Sequence, residues 1–160
     1  MPSWIEPVDP KDIICANDTL SSVLRFRWHG DSGYEPLVVK DFRHKIQGVV
    51  GISDVLRYVA LQAEEIHHLW PSYTVVLPTM GWTALQTSVL NMPIGQFVRS
   101  RRGVVGMPED WMHAVRLMNR VPWPVLYVQD RSRTLLGKIT WKSLAQRIEN
   151  NDNLSSDSQA

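Results

Sequence analysis

Few residues in the chain are able to do chemistry, and most of them stand where a helix begins. Ser53 and Asp54 precede one apolar helical stripe, Thr140 and Ser143 another. Short acceptor side chains in such places satisfy the free backbone N–H groups of a first turn. Arg99-Ser100-Arg101-Arg102-Gly103 is the one basic cluster. Guanidinium forks match phosphate oxygens two at a time, and a solvated charged loop accounts for the same residues equally well. Glu64-Glu65-Ile66-His67-His68 holds Glu-x-x-His and Glu-x-x-x-His pairs that a helix turns to one side. A metal would require further ligands from elsewhere, none is indicated, and polar pairing across helix turns explains the spacing. The single Cys15 lies in the apolar run Ile13-Ile14-Cys15-Ala16, so no disulfide forms within the chain and the side chain is expected in the core. No Ser/His/Asp order, glycine-rich phosphate loop or carboxylate pair stands out, and the expectation is a binding or interaction module and not an enzyme.

A repeat positions these residues. The stretch from Pro36 to Leu56 reads proline, apolar run, aspartate, charged turn, apolar run, glycine, apolar run, polar helix start, and the stretch from Pro124 to Leu144 reads the same way. In the first copy Leu37 to Val39 and Ile46 to Val50 flank Asp41-Phe42-Arg43-His44-Lys45, a polar connection of hairpin length. Pro36 opens a strand, where its missing N–H costs nothing. After Gly48 the period lengthens, and Val55, Leu56, Val59, Ala60, Ala63 and Ile66 make one helical stripe. Leu144, Ala145 and Ile148 do the same in the second copy. A helix also precedes each hairpin, from Asp18-Thr19 into Leu20, Val23 and Leu24, and from Pro108-Glu109-Asp110 into Trp111, Ala114, Val115 and Met118. Before each of these lies a β-like run, Ile13-Ile14-Cys15 and Val104-Val105. The unit is strand, helix, strand, strand, helix, and its recurrence predicts two small halves sharing a core.

At 160 residues and 44% hydrophobic, the chain supports one well-buried module, while each repeat alone is marginal. Residues 1–12, with Pro2, Pro7 and Pro10, read as an irregular lead-in whose Trp4 and Ile5 clip onto the module. The repeats then occupy 13–70 and 93–148, separated by an insert over 71–92 in which Trp82, Leu85 and Val89 predict a further helix. His29-Gly30-Asp31-Ser32-Gly33 reads as an exposed loop, and the polar tail over 149–160 as disordered. Pro122-Trp123-Pro124 fixes the entry to a strand, with the aromatic ring expected to pack or to meet a second copy. A net charge of +1 is too mild for nucleic acid, and aromatic and basic residues do not alternate along a strand. No apolar run approaches a membrane span and the N-terminus lacks a signal pattern, so a cytoplasmic protein touching neither nucleic acid nor membrane is expected.

The order of these motifs resembles a tandem pair of cystathionine-β-synthase-type (CBS) domains. The resemblance rests on Asp18-Thr19-Leu20, Pro36-Leu37-Val38-Val39 and Gly48-Val49-Val50-Gly51-Ile52-Ser53-Asp54-Val55 in the first copy. In the second it rests on Trp111-Met112-His113-Ala114-Val115, Pro124-Val125-Leu126-Tyr127-Val128 and Gly137-Lys138-Ile139-Thr140-Trp141-Lys142-Ser143-Leu144. It implies an α/β (α+β) fold in which two such repeats pack about a pseudo-twofold and leave two clefts.

In many members of that family the clefts take adenosine-containing ligands, and the motif runs Gly, two apolar residues, Ser or Thr, two variable residues, Asp. The resemblance implies that Asp54 accepts from the ribose hydroxyls, with Ser53 substituting for the hydroxyl missing at Gly51. Thr140 is the matching hydroxyl of the second copy, where Ser143 stands in place of the aspartate. Neither cleft keeps both polar partners, so unequal sites are expected. Pro36 and Val38, and Pro124 and Leu126, match positions that hold adenine, and Arg101 and Arg102 lie near a cleft as phosphate partners. No cofactor is required; the ligand implied is AMP, ADP, ATP or a relative. The function implied is a stand-alone regulatory sensor that signals through an unidentified protein partner, and that forms a homodimer through Val55, Val59, Leu144 and Ile148. The alternative is a ligand-independent dimerisation or protein-interaction scaffold that uses the exposed helices and the Trp-rich insert.

Overall fold

Short apolar runs separated by tight polar turns pair as strands, and each repeat makes its own three-stranded sheet. The computed structural model describes residues 1–28, 35–69, 86–98 and 103–150. In the first half β1 (Ile13–Cys15) lies parallel to β2 (Leu37–Lys40), which pairs antiparallel with β3 (Ile46–Val50). In the second, β4 (Val104–Val105), β5 (Val125–Gln129) and β6 (Leu135–Thr140) repeat that order and those directions. α1 (Leu20–Phe26) carries the chain from β1 to β2, and α2 (Ile52–Leu69) follows β3. A helix α3, whose described part covers 86–90, and a 3-10 turn over Ile94–Phe97 intervene. α4 (Trp111–Met118) and α5 (Trp141–Glu149) then take the places of α1 and α2.

The two hairpins share one turn. Asp41 accepts from the N–H groups of Arg43 at 2.8 Å and Lys45 at 3.1 Å, and Asp130 accepts from those of Ser132 at 2.8 Å and Thr134 at 2.9 Å. Each turn then needs one residue in the left-handed region, His44 at φ 62° and Arg133 at φ 65°. The strand register refines the repeat. Val38 faces Val49 as Tyr127 faces Lys138, so Val38 corresponds to Tyr127 and Pro36 to Val125, not to Pro124. The extra residue of the second copy therefore sits at the entry to β5.

Among the described residues three apolar clusters hold the fold together. One lies in the first half, where Ile14, Leu20, Val23, Trp28, Leu37, Val39, Val50 and Val55 are joined by Val89, Ile94 and Phe97. Residues 89–98 thus complete the first half, and Leu20 N–H donates to Met92 O while Ile94 N–H donates to Asp18 O. The second cluster joins Ala114, Met118, Leu126, Val128, Ile139 and Leu144 to Trp4 and Ile5 of the lead-in. A third seals the two sheets face to face through Val38, Ile46, Val49, Val104 and Tyr127, with Leu135 and Trp123 at its margin. The buried Tyr127 hydroxyl crosses that seam to donate to Pro36 O at 3.1 Å, and burial pushes its pKa well up. The equivalent residues Val38 and Tyr127, and Ile46 and Leu135, meet in the seam, as two halves related by an approximate twofold require.

Strand alternation corrects the placement of Cys15. With Ile14 turned into the core, the next residue on the edge strand β1 faces out, and Cys15 is exposed. Thr19, and not Asp18, caps α1, accepting from Ser22 N–H at 3.2 Å, while Asp18 accepts from Cys15 N–H. Val55 and Leu144 are interior residues, whereas Ile148 is exposed. Among the described residues no helix is long and apolar enough to cross a membrane.

Candidate functional site

The two clefts that the resemblance implies would lie beside the starts of α2 and α5, which follow the two hairpins at equivalent places in the repeats. In the first, β3 ends at Val50 and α2 begins at Ile52, so Gly51 occupies the capping position. A glycine there has no side chain to cap with. Asp54, the third residue of α2, reaches back instead, its Oδ2 accepting from Gly51 N–H at 2.8 Å. This is the returning half of a capping box. Among the described residues its other oxygen takes no hydrogen bond. Ser53 is exposed and takes no part in this capping.

Trp123 explains the glycine. A Cβ on Gly51 would stand 2.8 Å from the indole Nε1, and one on Gly103 2.8 Å from its Cζ3 and 3.1 Å from Val49. The half-buried ring is fitted between two glycines from different halves of the chain, over the position where a hydroxyl was sought in the sequence. Its packing role was anticipated; its coupling to Gly51 was not.

The second cleft begins with a complete capping box. Thr140 Oγ1 accepts from Ser143 N–H at 3.1 Å, and Ser143 Oγ accepts from Thr140 N–H at 3.0 Å and donates to Thr140 O at 2.9 Å. The Thr140 hydroxyl hydrogen goes to Glu6 Oε2 at 3.0 Å. Glu6 is held there by the lead-in. Its N–H donates to Lys138 O at 2.8 Å and its carbonyl accepts from Lys138 N–H at 2.9 Å, a bridge that places it beside β6. Lys138 in turn lies 4.0 Å from Asp12 Oδ2. Burial raises the Asp12 pKa, opposed by the Lys138 charge.

The other residues singled out in the sequence divide as follows. Pro36 and Val38 are buried at the seam. Pro124 is exposed beside Trp123, and Leu126 lies in the second half's own core, on the opposite face of β5 from Tyr127. Since the strand register makes Tyr127 the counterpart of Val38, the two pairs of adenine positions are not equivalent. Arg101 and Arg102 lie outside the described residues, as do Trp82, Leu85 and the side chains of Glu64, Glu65, His67 and His68. Sequence reasoning missed Glu6, Asp12 and Lys138 as neighbours of a cleft. Only Gly137 signalled them, since a Cβ there would meet Ile5 Cγ2 at 2.6 Å and Glu6 O at 2.7 Å.

No family model and no curated protein matches the sequence. Solved structures match the fold from end to end. A CBS domain pair/ACT domain protein from Thermotoga maritima is 17% identical at a TM-score of 0.60, covering 94% of this chain and 98% of that one. CBSX2 in complex with AMP is 17% identical at a TM-score of 0.62, covering 93% and 95%. CbpB in complex with c-di-AMP is 16% identical at a TM-score of 0.61, covering 96% and 87%, and CbpB from Streptococcus agalactiae is 16% identical at a TM-score of 0.62, covering 98% and 82%.

Proposed function

We propose that this chain, which has the fold of a tandem CBS domain pair, is a regulatory module that takes an adenosine-containing ligand and relays its presence to a protein partner. The carrying observation is Asp54 at the start of α2. One carboxylate oxygen is spent on Gly51 N–H and the other is available, among the described residues, to a ligand hydroxyl. An ionised carboxylate accepts strongly from a vicinal diol. The Trp123 indole packs against Gly51 and supplies an aromatic ring at the same helix start. That CBSX2 was solved with AMP and CbpB with c-di-AMP supports the ligand class. Regulation and not catalysis, and a place in the cytoplasm, belong to the same proposal.

A melting-temperature screen against AMP, ADP, ATP, S-adenosylmethionine, NAD and cyclic dinucleotides tests it, because a ligand that binds only the folded chain raises its stability. Calorimetry with the best ligand should then show Asp54→Asn binding about tenfold more weakly, the loss of one charge-assisted hydrogen bond, while melting as the parent does. No shift with any of these compounds would overturn the reading.

A scaffold reading has its own support in the exposed apolar side chains of α2 and α5, with Leu56 60%, Ile148 59% and Trp141 44% exposed. On that reading, as on the first, the module pairs with a second copy. Sedimentation as a monomer at micromolar concentration would exclude the pairing.

A further inference from the structure

From the contact between Glu6 and Thr140 we infer that the lead-in bars the second cleft to anionic ligands, its own carboxylate standing where a ligand phosphate would. The inference deepens the adenosine-ligand reading and rests on it for the choice of probe. A phosphate bound at the start of α5 would need a donor, and the Thr140 hydroxyl has one hydrogen, which Glu6 Oε2 takes at 3.0 Å. Thr140 N–H, Ser143 N–H and the Ser143 hydroxyl are spent within the capping box, which leaves the other first-turn N–H groups of α5 facing the Glu6 carboxylate's charge. The carboxylate is also a negative charge at the end of the helix that attracts anions, so it satisfies that end and repels a second anion.

Glu6 is no loose side chain. Trp4 and Ile5 are buried in the second core, two backbone hydrogen bonds tie Glu6 to Lys138, and Gly137 lacks the Cβ that would strike Ile5 and the Glu6 carbonyl. Asp12 adds a second carboxylate, against the single ammonium of Lys138. The first cleft has no such occupant among the described residues. Its capping residue is glycine, and its one carboxylate belongs to the helix itself.

Calorimetry of the full chain with AMP reads the outcome as stoichiometry. The parent is expected to take at most one AMP per chain. Glu6→Ala, which frees the hydroxyl and removes the charge, and Glu6→Gln, which removes the charge and keeps an acceptor for the hydroxyl, should each take one more, and Thr140→Val added to Glu6→Ala should abolish the gained site. In an Asp54→Asn background, Glu6→Ala should raise AMP affinity at least tenfold. If the parent binds nothing while Glu6→Ala binds one AMP, the inference holds and the first-cleft reading fails. If the parent binds one AMP and both Glu6 variants still bind one with the same affinity, that reading stands and the inference is overturned. Two AMP in the parent, weaker binding in the Glu6 variants, or no binding in any of them would also overturn it.

Discussion

The starts of α2 and α5 occupy equivalent places in the two repeats and solve the same physical problem with different atoms. Each must satisfy the free N–H groups of a first turn. α5 does so with a threonine and a serine that cap each other, and α2 with an aspartate reaching back to a glycine. The difference follows from what each start packs against. Trp123 crowds any side chain at Gly51, and the capping carboxylate comes instead from within the helix; Glu6 needs a hydroxyl to bond, and Thr140 provides it. Capping and cleft chemistry are thus one choice, made twice in opposite ways.

The largest effect should come from the glycines that admit these neighbours. Gly137→Val pushes against a backbone carbonyl and a buried isoleucine, and so must lift the lead-in with Trp4 and Ile5 from the core. A loss of about 2–4 kcal/mol in denaturant unfolding is expected, in line with overpacking and lost burial. Gly51→Ala meets only the edge of a half-buried indole, which can shift, and should cost about 1 kcal/mol. Equal costs would show that the two neighbours are held alike.

A smaller contrast lies in the caps. Thr140→Ala removes both the acceptor for Ser143 N–H and the donor to Glu6, and is expected to cost about 1–2 kcal/mol in the same experiment. Asp54→Ala removes one returning bond and should cost about 0.5–1 kcal/mol. The reverse ranking would make the carboxylate the stronger cap.

The smallest effect is one in which the halves should agree. Asp130 accepts from the Ser132 hydroxyl and from backbone N–H groups of its turn, Asp41 accepts from the backbone N–H groups of Lys45 and Arg43, and these bonds hold both carboxyls below the ordinary 3.8. A depressed pKa stabilises the fold fully above the unfolded value and less as pH falls through the folded one. Acid titration below pH 3.8 should therefore weaken the fold, and Asp41→Asn and Asp130→Asn should each flatten that slope to a similar extent. A flattening confined to one variant would separate the two turns.

The architecture was largely legible because its signals are local. Asp41 and Asp130 announce their turns, and the change of period between Ile46–Val50 and Val55–Ile66 was visible, though it was placed after Gly48 and β3 runs on to Val50. What escaped notice depends on residues distant in sequence. The prolines were a fair marker of strand entry, yet the pairing of Val38 with Val49 and of Tyr127 with Lys138 shifts the correspondence by one residue. Cys15 looked apolar by company, and its exposure follows from which face of β1 Ile14 had already claimed. Asp54 was read correctly as belonging to a helix start, but its partner Gly51 could be explained only by Trp123, and Glu6 only by Lys138 and Thr140. Contacts of that kind leave no periodic trace.

The bridge between Glu6 and Lys138 ties the lead-in, which precedes the first repeat, to the last strand of the second. During synthesis Trp4 and Ile5 emerge early and must wait, exposed, until β6 has left the ribosome, while the first half must wait for residues 89–98 before Ile94 and Phe97 fill its core. Closing so long a loop is slow relative to forming either hairpin. Trp4 and Ile5 are therefore among the last residues to find their place, and a chain stopped before Gly137 would leave both apolar side chains without the strand that covers them.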